Sequence, residues 1–227
     1  MKIIKPYVEL MQPIDGDEFL KSIERAGRVC YKSEDKITET SAPEFVKMLI
    51  ERGHEAMIEH APSISIKFVC DRGVTHEIVR HRLFSFAQES TRYVNHGGKD
   101  IVFVLPCWFQ ETYLTTTAMA YDFSLQQEDI SELNHELTPA QEIWFRAMLN
   151  AETAYQLMID EKWTPQQARS VLPNSLKTEI IVTGNAREWR HFFKLRTAKD
   201  AHLQMQEVAN MALALLKEKV AVLFDDI

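Results

Sequence analysis

Glycine is scarce in this sequence, with only seven among 227 residues. No G-x-G-x-x-G pattern and no P-loop pattern occurs, which excludes a dinucleotide-binding Rossmann turn and a Walker-type phosphate loop. Any nucleotide or nucleotide-like cofactor must therefore be held by charged side chains, helix ends and loops.

Cysteine and long apolar runs are also sparse. The three cysteines, Cys30, Cys70 and Cys107, are odd in number and widely spaced, which indicates reduced thiols in a cytoplasmic protein. No apolar run approaches the roughly eighteen residues that cross a bilayer. Pro6 and Glu9 interrupt the first residues, which lack a signal-peptide core. We expect a cytoplasmic protein with no membrane association.

Positive charge is in the minority, since the formal net charge is −7 and the sequence pI is about 5.6. This balance argues against nonspecific nucleic-acid binding, which needs a broad basic face. The hydrophobic fraction of 45% and the charged fraction of 26% are typical of a globular protein. We expect a single domain over residues 1–227 with a sizeable core.

Periodicity predicts short strands among long helices, without regular βαβ alternation. This pattern favours an α+β fold in which long helices cover an antiparallel sheet. The predicted strands are 7–10, 63–70, 101–104 and 177–183, and Ile64, Ile66, Phe68 and Cys70 are expected on one buried face of the second. The predicted helices are 15–28, 41–53, a helix capped by Asp71, 111–125, 138–158, 164–172, 189–196 and 201–222, with a polar connector at 126–136. Capping boxes are predicted at Ser41/Glu44, Thr138/Gln141 and Thr164/Gln167.

Two segments concentrate positive charge in this acidic chain. The first, Arg72–Lys99, has five basic and two acidic residues, or +3, and contains the run Arg80–Tyr93, RHRLFSFAQESTRY. Guanidinium groups match phosphate oxygens, and the hydroxyls between them can complete an anion site. The second, Asn185–Lys199, has five basic and one acidic residue, or +4. A solvated basic helix is the alternative for each segment.

Histidine and cysteine offer two rival kinds of site. His76 and His81 are five residues apart, which on a helix turns the second imidazole about 140° from the first, so both cannot ligate one metal from one face. We therefore expect no catalytic metal. None of the three cysteines lies beside a histidine or within the arginine cluster, so none has an evident means of lowering its pKa as a nucleophile requires.

Motifs throughout the chain resemble the flavin-dependent thymidylate synthases. Arg80-His81-Arg82 is followed after seven residues by Ser90 and then by Arg92-Tyr93, which is the signature of that family. The resemblance spans about Arg28 to Gln206 and leaves out 113–136. Its further motifs are the Arg28–Tyr31 run, Ala168-Arg169 with Leu172-Pro173, Asn185-Ala186-Arg187, and Leu195-Arg196.

The resemblance implies a reaction, its cofactors and an assembly. It implies reductive methylation of dUMP to dTMP, with 5,10-methylenetetrahydrofolate as carbon donor, NADPH as reductant and FAD as hydride carrier, and without an enzyme nucleophile. It also implies a homotetramer with shared active sites.

The resemblance also implies roles for individual residues. Arg196 would be the catalytic residue, stabilising charge at the uracil edge. FAD would contact Arg80, His81, Arg82, Leu83, Gln88, Asn185, Arg187, His191 and His54. dUMP would contact Glu77, Arg80, Gln88, Glu89, Ser90, Thr91, Arg92, Arg169 and Arg196, with Arg169 expected from a neighbouring subunit.

The sequence departs from the family pattern at four positions, none of them an arginine. Some members have glutamine at Glu77, an acid at Gln88, a hydroxyl at Ala56 and histidine at Asp200. The contacts of Glu77 and Asp200 are therefore open. The alternative function is a non-enzymatic nucleotide-binding or RNA-binding protein that uses the arginine clusters.

Overall fold

The computed structural model describes residues 1–109 and 137–227. The strands are β1 Lys2–Ile4, β2 Tyr7–Leu10, β3 Ile64–Asp71, β4 Ser85–Gln88, β5 Val102–Val104 and β6 Lys177–Gly184. The helices are α1 Gly16–Val29, α2 Ala42–Glu51, α3 Arg72–Ile78, α4 Pro139–Asp160, α5 Pro165–Ala168, α6 Ala186–Arg196 and α7 Leu203–Phe224. Short 3₁₀ helices cover Glu34–Lys36, Glu55–His60 and Arg169–Val171. The predicted helix 111–125 and connector 126–136 lie outside the described residues. No described helix is both long and apolar enough to cross a membrane.

The strands form two sheets. Four of them make an antiparallel sheet in the order β2-β3-β6-β4, which confirms the predicted α+β class. β1 and β5 make a separate parallel pair, in which Lys2 faces Val102. Neither β1 nor β4 was predicted, because Lys2–Ile4 and Ser85–Gln88 are short and their side chains show no clear apolar pattern of period two.

β3 differs from its predicted half-buried character. Ile64, Ile66 and Phe68 are buried as expected, but Val69 and Asp71 are buried as well. Neighbouring groups therefore cover both faces of the end of this strand, and alternation is lost there. Asp71 Oδ1 accepts the Val74 N–H at 2.9 Å, so the predicted cap of α3 is confirmed.

The three predicted capping boxes have different outcomes. Thr138 and Gln141 form both reciprocal bonds at the start of α4, and Gln167 accepts from the Thr164 N–H before α5. Ser41 precedes α2 as predicted, but its hydroxyl forms no cap. That hydroxyl instead donates to a carboxylate oxygen of the buried Glu24 at 2.8 Å. The predicted capping box at Ser41 was wrong, because the Ser41 hydroxyl bonds to a buried carboxylate and forms no hydrogen bond with the helix N-terminus.

The predicted end of α2 at Gly53 is confirmed. Gly53 has φ of +70°, a conformation that glycine adopts without steric cost. Its N–H donates to the Ile50 carbonyl at 3.0 Å, and the His54 N–H donates to the Leu49 carbonyl at 2.8 Å. These two bonds form a Schellman motif, which places His54 at the start of the 3₁₀ helix Glu55–His60.

The chain packs as two compact units, while the prediction of a single domain stays a prediction. The first unit comprises 1–6, 69–76 and 88–179, and the second comprises 7–68, 77–87 and 180–227. The core of the first unit gathers apolar side chains of β5, α4 and neighbouring segments, among them Phe103, Phe145, Met148 and Tyr155.

The core of the second unit is aromatic. Trp189, Phe192 and Phe193 of α6 are fully buried, and Phe68 stacks on Trp189 with ring centroids 6.2 Å apart. The indole N–H of Trp189 donates to the Ile64 carbonyl at 3.2 Å. These contacts fix the rotation of α6 and leave its remaining face for polar side chains.

Candidate active site

A cleft of about 750 Å³ opens in the second unit. It lies between the 3₁₀ helix Glu55–His60, the turns after α3 and one face of α6. Eight residues predicted from the sequence line it together: Arg80, His81, Arg82, Leu83, Asn185, Arg187, His191 and Arg196. Glu55, Glu59, Glu188 and Leu195 complete the lining.

Local backbone geometry carries these residues to the cleft. After α3 ends at Ile78, the Arg80 N–H donates to the Glu77 carbonyl and the His81 N–H to the Ile78 carbonyl, each at 3.1 Å. The turns present the Arg-His-Arg run side by side. On the other wall, Asn185 Oδ1 accepts the Glu188 N–H at 2.9 Å and starts α6.

Arg196 is held in place by three hydrogen bonds. Its Nε donates to His81 Nε2 at 3.0 Å, and its Nη1 donates to Glu77 Oε2 at 2.9 Å. Its Nη2 donates to the Glu77 carbonyl at 3.3 Å. The other carboxylate oxygen of Glu77 lies 2.9 Å from His202 Nδ1. The guanidinium is thus fixed before any ligand binds.

His81 is neutral in this arrangement. Burial, together with the charges of Arg196 and His191, lowers its pKa to about 4. The contact with Arg196 requires a lone pair on Nε2, so the proton must be on Nδ1, which lies 3.7 Å from Glu188 Oε1. Neutral His81 thus orients Arg196 without repelling it, and the ion-pair partner of the guanidinium is the Glu77 carboxylate.

Glu188 is a site residue that the sequence analysis missed. Its carboxylate is buried, and burial raises its pKa, while the charge of His191 acts in the opposite sense. In the sequence it reads as an ordinary acidic residue of the first helical turn. Its position next to Arg187 was the only available signal, and its burial becomes visible only in the fold.

Arg187 is paired with acidic side chains that were also missed. Its Nη1 donates to Glu59 Oε1 at 2.6 Å, and its Nε lies 3.6 Å from Glu55 Oε2. All three side chains are substantially exposed, so the pairing is easily exchanged for another anion. Leu83 is 80% exposed, an unusual position for a leucine and one suited to covering a flat ligand.

The first unit brings together most of the residues predicted to bind the nucleotide. Arg169 Nη1 donates to the Thr91 hydroxyl at 3.2 Å. Arg72, which was not among the predicted site residues, donates to the Glu89 carbonyl at 3.4 Å. Burial and the charge of Arg169 both lower the pKa of Arg72. The charge of Glu89 acts in the opposite sense, and an anion beside Arg72 and Arg169 would relieve the repulsion between the two guanidiniums.

Other predicted residues of this unit are held by hydrogen bonds. The Gln88 amide donates to Thr75 Oγ1 at 3.0 Å, and Lys177 Nζ lies 3.3 Å from Glu89 Oε2. Ser90 opens a tight turn, since its carbonyl accepts the Val94 N–H at 3.0 Å.

Arg92 has an aromatic partner in the same unit. Its guanidinium lies over the Tyr93 ring, 4.9 Å from the centroid, and donates to the Tyr93 hydroxyl. Both side chains are exposed, so Arg92 presents its charge at the surface of the turn.

Some predicted residues stand apart from the cleft. Gln88 belongs to the first unit, and His54 lines a different hollow of the second unit.

Cys70 is buried in β3, where burial raises the pKa of its thiol. In 1–109 and 137–227, no cluster of three or more His, Cys, Asp or Glu side chains is suited to a metal ion.

The chain is similar to several known proteins. The family model "Thymidylate synthase complementing protein" matches residues 11–221. The flavin-dependent thymidylate synthase of Corynebacterium aurimucosum is 37% identical over 207 residues, covering 90% of this chain and 78% of the relative. That of Mycobacterium marinum is 35% identical over 223 residues, covering 96% and 81%.

A solved structure shares the fold. The UMP/dUMP methylase PolB from Streptomyces cacaoi, bound with 5-Br dUMP, aligns with a TM-score of 0.74 at 23% identity, over 99% of this chain and 96% of that protein. At this identity the likeness concerns the fold. With the family model and the two relatives, it leads to one conclusion: the chain belongs to the family of the flavin-dependent thymidylate synthases.

Proposed function

We propose that the protein methylates dUMP to dTMP, with FAD as hydride carrier, 5,10-methylenetetrahydrofolate as carbon donor and NADPH as reductant. The observation that carries the proposal is the fixed guanidinium of Arg196, held by neutral His81 and by Glu77. A cation that is oriented in advance stabilises negative charge developing on a substrate at no cost of reorganisation.

The cleft of the second unit fits a flavin. Arg80 and Arg82 provide cations for a pyrophosphate, and the exposed Leu83 and Leu195 provide apolar surface for a tricyclic ring. When bound there, the flavin supplies hydride transfer, which no side chain of this protein can perform. Anions entering the cleft would replace the exposed carboxylates that now pair with Arg187.

The arginine cluster of the first unit fits the phosphate of dUMP. Arg169 and Arg72 supply charge, while Thr91 and Ser90 supply hydroxyls. PolB, which shares this fold, is described as bound with 5-Br dUMP, and that supports a pyrimidine nucleotide here.

Arg196 acts on the uracil ring in this proposal. Its charge would stabilise the negative charge that appears on N3 and O2 as C5 becomes nucleophilic towards the one-carbon unit. Because the Cys70 thiol is buried with a raised pKa, it is unsuited to attack the ring. That the proposed reaction proceeds without an enzyme nucleophile is what the resemblance to the family implies.

The proposal includes the assembly and location that accompany the family. We propose a cytoplasmic homotetramer with shared active sites, made of single-domain chains. The exposed Tyr93 and Leu83, 75% and 80% exposed respectively, are candidates for burial between subunits. Sedimentation equilibrium of the FAD-loaded protein measures the number of chains.

An anaerobic turnover experiment tests the function. FAD-loaded protein is reduced with NADPH in the presence of dUMP, 5,10-methylenetetrahydrofolate is added, and dTMP is quantified. We expect dTMP with tetrahydrofolate as co-product, and none when FAD is omitted. A flavin-loaded protein that forms no dTMP would contradict the proposed substrates. A colourless protein that carries nucleic acid would support the alternative of an RNA-binding protein.

A further inference from the structure

Glu77 connects Arg196 to a histidine that has no role in the function proposed above. One carboxylate oxygen, Oε2, accepts from Arg196 Nη1 at 2.9 Å, and the other, Oε1, lies 2.9 Å from His202 Nδ1. Because an ionised carboxylate only accepts hydrogen bonds, the proton lies on Nδ1 and His202 is the donor. All three residues belong to the second unit. The Glu77 carboxylate is therefore bonded at both of its oxygens.

His202 occupies the N-cap position of α7, but its side chain does not cap the helix. N-cap residues are usually serine, threonine, aspartate or asparagine, whose short side chains accept an N–H of the first turn. The imidazole makes no such bond with the described residues of α7. The His202 carbonyl serves the helix instead, since it accepts the Gln206 N–H at 2.9 Å. The contact with Glu77 therefore accounts for an imidazole at this position, and the helix does not.

The segment between Arg196 and His202 is tied to α7 by hydrogen bonds. α6 ends at Arg196, and the Gln206 amide donates back to the carbonyls of Ala198 and Ala201 at 2.6 and 3.0 Å. The Ala201 N–H also donates to the Ala198 carbonyl at 3.0 Å. His202 therefore reaches Glu77 from an ordered position.

The Glu77 side chain benefits from a second hydrogen-bond partner because it is flexible and partly exposed to water. It has three rotatable bonds and is 31% exposed, while the side chain of Arg196 is 21% exposed. A single ion pair between such groups is weak and leaves the carboxylate free to turn. With Oε1 bonded to His202, Oε2 stays directed at Arg196, whose Nε is bonded to His81.

His202 and Glu77 act from outside the cleft of Arg196. Among the described residues, the lining of that cleft includes Arg196 and His81 but neither His202 nor Glu77. Their contact with the cleft is the Arg196 guanidinium.

We propose that His202 is a positioning residue for Arg196, acting through the Glu77 carboxylate. The inference rests on the proposed function, in which the orientation of Arg196 matters for the uracil ring. His202 fixes Glu77, and Glu77 together with His81 fixes the plane of the guanidinium before the nucleotide binds. His202 remains a hydrogen-bond donor throughout and transfers no proton.

Two substitutions of His202 separate this role from a structural role at the start of α7. His202→Ser supplies a preferred N-cap hydroxyl, but its side chain is too short to replace Nδ1. His202→Asn keeps a side-chain N–H close to the position of Nδ1 and can donate to Glu77. Leu203→Ala removes an exposed neighbouring side chain and is the matched control. If His202 served only the helix, the serine variant would behave as wild type.

Chemical modification of Arg196 tests the inference without turnover. Phenylglyoxal modifies guanidinium groups most readily when they are free of hydrogen bonds. FAD-loaded wild type and variants are treated with it, and modification is followed by peptide mass spectrometry, with exposed Arg146 of α4 as internal control. Arg196 should react about fivefold faster in His202→Ser, as the loss of one hydrogen bond predicts. His202→Asn and Leu203→Ala should react as wild type does. Equal rates in wild type and His202→Ser would overturn the inference.

Turnover and stability supply the second test. His202→Ser should lower kcat for dTMP formation about fivefold to tenfold and change KM for dUMP by less than about twofold, while FAD content stays the same. Urea unfolding should show that this variant is no less stable than wild type, and His202→Asn should recover most of kcat.

Two kinetic results would contradict the role of His202: wild-type kcat in His202→Ser, or an equal loss in His202→Asn. If wild-type protein forms no dTMP, the proposed function fails, while the modification rates of Arg196 still decide whether His202 holds it in place.

Discussion

Acidification should destabilise the protein through His81. The pKa of this imidazole is lowered from the ordinary 6.5 to about 4, chiefly by burial and secondarily by the charge of Arg196. Between these values the unfolded chain binds a proton that the folded chain does not. Above about pH 6.5 His81 therefore does not lower the free energy of unfolding. As the pH drops from there towards about 4, proton uptake by the unfolded chain lowers this free energy progressively. A difference of 2.5 pKa units corresponds to about 3 kcal/mol.

The His81→Gln variant isolates this contribution. Glutamine does not titrate, and its side-chain oxygen can still accept from Arg196 Nε, as His81 Nε2 does at 3.0 Å. Urea unfolding at fixed protein concentration should show that wild type loses about 2.5 kcal/mol more than the variant between about pH 7 and about pH 4.5. Burial also lowers the pKa of His96, but that group is present in both proteins and cancels in the comparison.

One result would refute the reasoning about His81. If the two proteins lose stability in parallel over this interval, His81 takes up its proton in the folded state at an ordinary pKa. Below about pH 6.5 it would then face Arg196 as a cation, and the hydrogen bond to Nε2 could not exist there. The orientation of Arg196 by a neutral acceptor would have to be abandoned.

Two further substitutions follow from the same unit. Arg196→Ala should retain FAD but lower kcat for dTMP formation by about 10²- to 10³-fold, the usual loss for one preorganised charge donor. Arg196→Lys keeps the charge but loses the planar group that bonds both His81 and Glu77, so its kcat should lie between those of wild type and Arg196→Ala. Wild-type turnover of Arg196→Ala would exclude the assigned role. Gly184→Ala should lower the free energy of unfolding by about 1–3 kcal/mol, because the new Cβ would lie 2.2 Å from a Phe84 ring carbon. Urea unfolding measures the loss, Phe84→Leu should relieve it in the double variant, and an unaffected single variant would contradict the close packing.

Local signals in the sequence determined most elements of the fold. The box at Thr138, the cap at Asp71 and the turn at Gly53 each depend on a few neighbouring residues, and each formed as predicted. The box at Ser41 failed because Glu24, seventeen positions away, binds the hydroxyl in the folded chain. Short strands such as β4 were missed because pairing with a distant strand defines them.

The sequence by itself also identified most of the side chains that form the cleft. The resemblance to the family, carried by the Arg80–Tyr93 run and the Asn185 motif, implied eight of its lining residues, because a motif records which residue types a ligand requires. Only the tertiary structure showed that Arg196 is fixed by His81 and Glu77, that Glu188 is buried beside His81, and that Lys36 and Arg52 face a second hollow. Burial and the distances between charges depend on contacts between remote segments, and these same quantities set the pKa of a group and the partner it binds.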